Sequence, residues 1–236
     1  MPSIAIIVPC YNESERLDEQ SFISMVKANA GWSLIFVNDG SSDNTIDCLL
    51  KIKSAIPTQV SIIELQKNCG KGEAVRQGAL YAVQCNFNYI AYLDADLATD
   101  QNEFTRLAKL IHPTRPIIIG SRIKKADTKI IRSAFRHFIG RGIATLVDLK
   151  YKLGVYDTQC GAKIFNASIL KDTIEKPFYT AWLFDVEILL RIRAGNKDLA
   201  LHEEPLKIWK DDGNSKLNLL SMPLICKELF LLFIKY

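Results

Sequence analysis

The first half of the sequence predicts an α/β fold in which a mainly parallel central sheet carries helices on both faces. Short apolar runs alternate there with longer stretches of helical character, which is the element order of a parallel sheet. The apolar runs are continuous, as is typical of strands that are buried on both sides. After Gly120 helical stretches dominate. Since 48% of the 236 residues are hydrophobic, we expect a single domain with a sizeable core.

Five strands are predicted up to Gly120, and a helix follows each of the first four. The strands are residues 3–9, 33–37, 60–65, 89–93 and 117–120. The helices are residues 13–30, 43–55, 73–85 and 100–111. Ser42 or Asp43 can cap the second helix, and the turn Asn68-Cys-Gly-Lys-Gly72 precedes the third.

The second half is expected to add two helices, two strands and an apolar tail. A helix is predicted over residues 131–146, with one apolar face formed by Ile131, Phe135, Phe138, Gly142 and Leu146. Residues 157–165 are predicted to form a loop that enters a short strand, residues 182–193 a buried helix, and residues 199–209 a strand. The tail, residues 217–236, lacks the uninterrupted run of ~20 apolar residues that a membrane-spanning helix needs.

Composition and charge narrow the possible partners. The chain has a net charge of +4, but nine cations and only two anions lie between Arg122 and Lys152. This basic block indicates an anionic partner, or else a solvated helix face. Its cations lack the interleaved aromatic residues of a base-stacking surface, so we expect no nucleic acid. The six cysteines form no C-x-x-C pair, which argues against structural zinc and a disulfide framework and favours a reducing compartment.

Polar side chains stand where the predicted strands end, and ligands bind at the carboxyl ends of parallel strands. Asp94 and Asp96 directly follow a buried strand. Two carboxylates there are costly unless a cation compensates them, and hard divalent cations share their oxygen ligands with substrate phosphates. Alternatively, one of the two caps the next helix. The other polar residues at this edge are Tyr11, Glu13, Asp39 and Lys71.

The turn before the third helix suits a phosphate. Gly70 and Gly72 let the backbone approach a diphosphate, and Lys71 supplies a positive charge. The spacing matches neither a Walker A loop nor a dinucleotide fingerprint. Asp39 suits hydrogen bonding to a base or ribose. A plain glycine turn with a surface lysine is the simpler alternative, and the neighbouring polar residues favour the phosphate.

Four segments, in order, resemble the successive motifs of family 2 inverting glycosyltransferases. They are Ile7-Val-Pro-Cys-Tyr-Asn-Glu13, Val37-Asn-Asp-Gly-Ser-Ser-Asp43, Asn68-Cys-Gly-Lys-Gly72 and Asp94-Ala-Asp96. The second half is similar to the branch that transfers sugars to polyprenyl phosphates, and closer there to the dolichyl-phosphate glucosyltransferases than to the mannosyl enzymes. That similarity lies in Gly120-Ser-Arg122, Asp157-Thr-Gln-Cys-Gly-Ala-Lys-Ile-Phe165, Trp182-Leu-Phe-Asp-Val-Glu187 and Trp209-Lys-Asp-Asp-Gly-Asn-Ser-Lys216.

The resemblance implies the Rossmann-like nucleotide-diphospho-sugar transferase fold, known as GT-A, in a single domain. Residues 1–121 would bind the nucleotide sugar, residues 122–216 would bind the acceptor, and residues 217–236 would form the apolar tail. The implied reaction moves a hexose, with glucose favoured, from a nucleotide-diphospho-sugar, with UDP-glucose favoured, to a polyprenyl phosphate. It inverts the anomeric carbon and depends on Mg²⁺ or Mn²⁺.

The same resemblance implies a role for each matching residue. The donor would be bound by Pro9, Tyr11, Glu13, Asp39, Lys71 and Asp94. The metal would be held by Asp96 and Asp94. The catalytic residues would be Asp96, Asp185 and Arg122. The acceptor phosphate would be bound by Arg122, Arg132 and Arg136, and the sugar by Gln159 and Asp157.

The acceptor decides whether a general base is required. A hydroxyl must lose a proton, and Asp185 is then the candidate base. A polyprenyl phosphate is already an anion and needs cations, which Arg122, Arg132 and Arg136 would supply with planar, bidentate geometry. We favour the phosphate, with a hydroxyl acceptor as one alternative and a non-catalytic nucleotide-binding protein as another.

The cellular setting follows from the same expectations. We expect a cytoplasmic protein that is peripheral at the cytoplasmic face of the membrane. The basic block, the apolar tail or a partner protein would hold it there, and a homodimer through the tail is a further alternative. Tyr11, Glu13 and Asp39 fit uridine and guanosine donors almost equally.

Overall fold

The computed structural model describes residues 2–131, 134–195, 200–210 and 222–236, without the side chains of residues 134–136. Its strands are β1 (Ile4–Cys10), β2 (Trp32–Asn38), β3 (Val60–Glu64), β4 (Tyr89–Leu93), β5 (Ile117–Ser121), β6 (Lys129–Ile131), β7 (Ala162–Asn166), β8 (Leu201–Pro205) and β9 (Ile208–Lys210). Its helices are α1 (Glu19–Lys27), α2 (Thr45–Ala55), α3 (Lys71–Gln84), α4 (Gln101–Ala108), α5 (Ala134–Tyr151), α6 (Ala167–Ile174), α7 (Phe184–Gly195) and α8 (Met222–Lys235).

The predicted α/β fold is confirmed. Seven strands form one sheet in the order β3-β2-β1-β4-β7-β5-β8, and every neighbouring pair is parallel except those that involve β7. Strands β6 and β9 form a separate parallel pair. Because β7 runs antiparallel, it begins where β4 ends: Ala162 pairs with Leu93, and Asn166 pairs with Tyr89. The loop before β7 therefore lies at the carboxyl edge of the parallel strands.

The core has two layers, one on each face of the sheet. Successive residues of β1 alternate between them, since Ile6 belongs to one layer and Ile7 to the other. Helices α1, α2 and α4 cover the first face, and helices α3, α5, α6, α7 and α8 contribute to the second. Burial on both faces explains why the strands have no alternating pattern in the sequence.

Three predicted helix starts in the first half differ from the structure by two residues or more; one of them is that of α3, which begins at Lys71 rather than at Glu73. The first helix begins at Glu19 rather than near residue 13, because Asp18 caps it by accepting the N–H of Ser21 at 3.1 Å. The second begins at Thr45, with Asn44 at the N-cap position. The capping role predicted for Asp43 is nevertheless present, because Asp43 Oδ1 accepts the N–H of Thr45 at 3.1 Å, whereas Asn44 makes no side-chain cap hydrogen bond.

The second half differs from expectation at several places, and helices α6 and α8 were not predicted. Ile131 lies in β6 rather than in a helix. The expected apolar face of α5 is its outer face, because Phe138 is 74% exposed and Leu146 48%, whereas Val147 is buried. The side chain of Phe135 lies outside the described residues. The strand expected over residues 199–209 divides into β8 and β9.

In the part of the chain that the structure describes, no helix is both long and apolar enough to cross a membrane.

Candidate active site

A cleft of about 460 Å³ opens at the carboxyl edge of the sheet. It brings together ten of the residues that the sequence singled out, namely Pro9, Tyr11, Glu13, Asp39, Lys71, Asp94, Asp96, Arg122, Gln159 and Asp185. Asp157 is not among the residues that line the cleft, but its carboxylate forms an ion pair with Arg122, which does line it. Arg132 and the side chain of Arg136 lie outside the described residues. Parallel pairing places the ends of β2, β1 and β4 side by side, which brings in the residues of the first two motifs and the two aspartates after β4. Gln159 comes from the loop before the antiparallel β7, and Asp185 from helix α7.

The loops after β1 and β2, which line the cleft, are joined to each other by hydrogen bonds. The N–H of Asn12 donates to Ser41 Oγ at 3.0 Å, and Asn12 Oδ1 accepts the N–H of Ser42 at 2.9 Å. The N–H of Glu13 donates to Thr45 Oγ1 at 2.8 Å. The buried Glu13 carboxylate pairs with Arg16, whose Nη2 lies 2.6 Å from Oε2. These contacts fix the first two motifs relative to each other.

Asp39 holds the glycine turn at the cleft. It is 2% exposed, and its two carboxylate oxygens accept the N–H groups of Cys69 at 2.7 Å and Gly70 at 2.9 Å. Gly70 has a φ of 91°, a conformation that glycine adopts at little cost. Asp39 therefore orders the turn, and its predicted contact with a base or ribose stays a prediction.

Lys71 and Asp94 form an ion pair across the cleft, with Nζ 2.5 Å from Oδ1. Desolvation in the cleft would lower the pKa of Lys71, but the carboxylates of Asp94, Asp185 and Asp96 raise it above its usual value. Gly161, just before β7, lies against the same carboxylate: an added Cβ would stand 1.9 Å from Asp94 Oδ2. Any side chain at position 161 would displace Asp94.

Asp96 stands in the loop that follows β4. Its Oδ1 accepts the N–H of Ala98 at 3.0 Å, and the intervening Leu97 has a φ of 50°. The alternative that Asp94 or Asp96 caps the next helix is wrong. Asp100 is the N-cap of α4 and accepts two of its N–H groups.

The donor set of the cleft fits a hard divalent cation that is shared with a substrate. The described residues contain no group of three or more histidine, cysteine, aspartate or glutamate side chains that could hold a metal by themselves. Asp94 and Asp96 line the same cleft and offer carboxylate oxygens. Mg²⁺ and Mn²⁺ are commonly bound by one or two carboxylates, with phosphate oxygens and water completing the shell.

A buried charged cluster lies behind the cleft. Asp185 accepts a hydrogen bond from the Tyr92 hydroxyl and lies 3.3 Å from Lys163 Nζ. Lys163 is fully buried and also donates to the Tyr92 hydroxyl at 2.7 Å and to the Cys160 carbonyl at 2.6 Å. Burial raises the pKa of Asp185, although Lys163 and Lys71 lower it. Sequence reasoning assigned no role to Lys163 or Tyr92; the available signal was a lysine inside the apolar strand β7.

Arg122 lines the cleft and is held there by Asp157. Its Nε and Nη2 donate to the two oxygens of Asp157 at 2.6 and 2.7 Å. Its guanidinium carbon lies 5.3 Å from the centre of the Trp209 ring. Desolvation would lower the pKa of Arg122, but Asp157 raises it. Asp157 therefore orients Arg122. Neither this contact nor that between Arg122 and Trp209 could be predicted from the sequence.

Three comparisons bear on this chain. The model of the family described as "Glycosyl transferase family 2" matches residues 5–174. A dolichyl-phosphate beta-glucosyltransferase of Trichomonas vaginalis is 33% identical over 92% of this chain and 66% of its own length. The enzyme of the same name from Saccharomyces cerevisiae is 31% identical over 99% of this chain and 75% of its own length. The chain thus spans about two thirds to three quarters of these relatives.

Solved structures share the fold at low sequence identity. Glucosyl-3-phosphoglycerate synthase from Mycobacterium tuberculosis, in complex with Mn²⁺, UDP and glucosyl-3-phosphoglycerate, has a TM-score of 0.71 at 16% identity. The match covers 97% of this chain and 77% of that protein. The same protein in complex with Mn²⁺ and UDP-glucose gives a TM-score of 0.70.

Proposed function

The chain belongs to glycosyl transferase family 2 and is a glycosyltransferase, and from this premise we propose that it transfers glucose from UDP-glucose to a polyprenyl phosphate such as dolichyl phosphate. The names of its relatives support glucose as the sugar and dolichyl phosphate as the acceptor. The neighbours solved with Mn²⁺ and UDP-glucose support the donor and the cation. In this proposal, residues 1–121 bind the donor and residues 122–216 bind the acceptor.

One observation carries the proposal: a fixed arginine opens onto the same cleft as the two motif carboxylates. Arg122, Asp94 and Asp96 all line it. A reaction between a diphosphate donor and a phosphate acceptor brings two anions together, so cations must act on both sides. In this proposal, Lys71 supplies the positive charge next to the donor diphosphate, and Arg122 supplies the positive charge next to the acceptor phosphate.

Asp96, with Asp94, would hold Mg²⁺ or Mn²⁺. When bound, the cation supplies positive charge that stabilises the leaving diphosphate. Lys71 adds a second positive charge on that side. Asp39 orders the glycine turn that leads into Lys71 by accepting the N–H groups of Cys69 and Gly70.

The chain's own residues then position the acceptor. Arg122, oriented by Asp157, binds the acceptor phosphate through its remaining N–H groups. A phosphate oxygen forms the new bond to C1 of glucose while the bond from C1 to the diphosphate oxygen breaks, so attack from the opposite face inverts the carbon. No proton has to be removed, because the acceptor is already an anion.

Asp185 has a positioning role in this scheme. Asp185 accepts a hydrogen bond from the Tyr92 hydroxyl and forms an ion pair with Lys163. These contacts fix its carboxylate at the base of the cleft near Lys71. One observation favours the second candidate, transfer to a sugar hydroxyl: Asp185 lines the cleft, and burial raises its pKa, as is typical of a general base.

Peripheral membrane contact is part of the proposal. Helices α5 and α8 meet at their C-terminal ends, where the Tyr151 hydroxyl donates to the Leu232 carbonyl at 2.9 Å. Close to this contact, Leu149 is 73% exposed, Phe230 67% and Ile234 64%. Apolar side chains beside lysines suit the boundary between lipid head groups and acyl chains.

The test is a transfer assay with the purified protein, labelled UDP-glucose and Mn²⁺. We expect a glucolipid with dolichyl phosphate and with undecaprenyl phosphate, but none with dolichol, which lacks the phosphate, and none after chelation of the metal. UDP-galactose, UDP-N-acetylglucosamine and GDP-mannose serve as competing donors. Product with dolichol or with a soluble sugar hydroxyl, and none with the lipid phosphates, would favour the second candidate. The comparison of dolichyl phosphate with dolichol separates the two, and Asp185→Asn does not, because it would also break the contact with the buried Lys163 and lower turnover with either acceptor.

A further inference from the structure

We infer that Glu228, on the C-terminal helix α8, is a positioning residue for the active site, an inference that rests on the proposed function. The Glu228 side chain points into the protein and is 5% exposed. Its Oε1 accepts the N–H of Ala181, and its Oε2 accepts the N–H groups of Trp182 and Leu183, each at 3.0 Å. The carboxylate of Glu228 on α8 thus accepts hydrogen bonds from three consecutive backbone N–H groups of residues 181–183.

These donors are the N–H groups just before α7, which starts at Phe184. The first N–H groups of a helix have no partner within the helix, and a carboxylate near them is also favoured by the helix dipole. The nearest local candidate, Thr180, is engaged elsewhere, because its hydroxyl donates to Glu187 at 2.9 Å. The start of α7 is therefore completed by a residue that lies 45 positions beyond Leu183.

The segment that Glu228 holds is a wall of the cleft. Ala181, Trp182, Phe184 and Asp185 all line it. The wall also packs tightly against the glycine turn, residues 68–72. An added Cβ at Gly72 would stand only 2.9 Å from the Cβ of Phe184. A shift of the wall therefore moves both Asp185 and the backbone that carries Lys71.

The expected effect is catalytic as well as structural. Glu228→Ala leaves three backbone donors without their acceptor, one of them fully buried at Leu183. Since a misplacement of ~1 Å can reduce turnover ~10²-fold, we expect kcat/KM to fall by about 10- to 100-fold. Glu228→Gln keeps one acceptor oxygen but places an amide NH₂ among N–H donors, so we expect a smaller loss.

Asn166→Ala is the matched control. Asn166 also caps a helix, by accepting the N–H of Ser168 at 3.0 Å. It lies at the opposite edge of the sheet from the cleft, since it pairs with Tyr89 at the start of β4. We expect this variant to lose stability, by about 1 kcal/mol for a lost cap, and to keep the wild-type kcat and KM per folded molecule.

The experiment measures kcat and KM for UDP-glucose, the dissociation constant of UDP with Mn²⁺, and amide hydrogen exchange in peptides that cover residues 178–186. The inference is supported if Glu228→Ala speeds exchange there and weakens kcat/KM or UDP binding beyond the Asn166→Ala control. It is overturned if exchange is unchanged, or if exchange rises while both functional constants match the control. A wild-type protein that binds UDP but makes no glucolipid refutes only the proposed reaction, because UDP binding still decides the role of Glu228.

Discussion

Replacing Gly161 with alanine should disable the donor side of the cleft. The new Cβ would stand 1.9 Å from Asp94 Oδ2 and 2.4 Å from Asp94 Cγ. The backbone cannot easily withdraw, because the N–H of Asp94 donates to the Gly161 carbonyl at 3.2 Å. The carboxylate must therefore retreat by about 1.5 Å to reach ordinary van der Waals contact.

That retreat is larger than an active site tolerates. It breaks the 2.5 Å contact between Asp94 and Lys71 and moves a proposed metal ligand. A misplacement of ~1 Å can cost ~10²-fold, so we expect kcat/KM for UDP-glucose to fall at least ~10²-fold. Overpacking typically costs ~1–3 kcal/mol, which for a chain of this size lowers Tm by about 2–12 °C.

The assay is glucolipid formation together with calorimetric titration of UDP in the presence of Mn²⁺. Gly195→Ala is the control, because an added Cβ at Gly195 meets no atom of the described residues within 4 Å. We expect that variant to behave as wild type. The reasoning is refuted if Gly161→Ala binds UDP and turns over within about twofold of the control, a difference of less than ~0.5 kcal/mol.

Three further predictions follow from the site and its surroundings. Asp96→Asn should weaken Mn²⁺-dependent UDP binding at least ~10-fold in calorimetry, because a neutral amide is a poorer ligand for a hard cation. Arg122→Lys keeps the charge but loses the paired bonds to Asp157, so KM for the lipid phosphate should rise ~10-fold while UDP binding stays unchanged. Burial raises the pKa of Asp43, but hydrogen bonds led by that from Thr45 lower it to about 2, below its ordinary 3.8. The stability that this carboxylate adds is therefore complete above pH 3.8 and is lost as the pH falls through about 2, so Asp43→Asn should flatten the fall of Tm over that window.

Each of these predictions has a result that contradicts it. Unchanged UDP affinity in Asp96→Asn would remove this carboxylate from the metal site. A rise in the KM for UDP-glucose in Arg122→Lys, with the lipid KM unaltered, would move the arginine to the donor side. Parallel Tm profiles for Asp43→Asn and wild type would show that the Asp43 hydrogen bonds add nothing to stability.

The sequence predicted the strands well because their signal is local. Residues 89–93 were predicted as a strand, and β4 has these bounds. The first two motifs and the Asp94 pair were expected to converge, since parallel pairing alone brings strand ends together. The position of β7 between β4 and β5 could not be predicted in this way, because strand order depends on pairing between distant residues.

The supporting residues of the site were missed for the same reason. Lys163 and Trp209 lie in segments that resemble the transferase motifs, and Glu228 lies in the apolar tail. The sequence does not show which cleft residue each of them contacts across the fold. The helical periodicity of α5 was predicted from the sequence, but not which side of the helix faces the core. Hydrophobicity alone cannot tell a core-facing stripe from an outward one, and Phe138 lies on the outer face.

The antiparallel insertion of β7 also constrains how the chain can fold during synthesis. Strand β4, which leads into the two aspartates, pairs on one side with β1 and on the other with residues 162–166. On the ribosome, a nascent chain that has emerged only as far as Gly120 leaves that second edge of β4 uncovered, and bare strand edges attract other chains. The proposed active site can therefore be complete only after residues 162–166 have been synthesised and have paired antiparallel with β4.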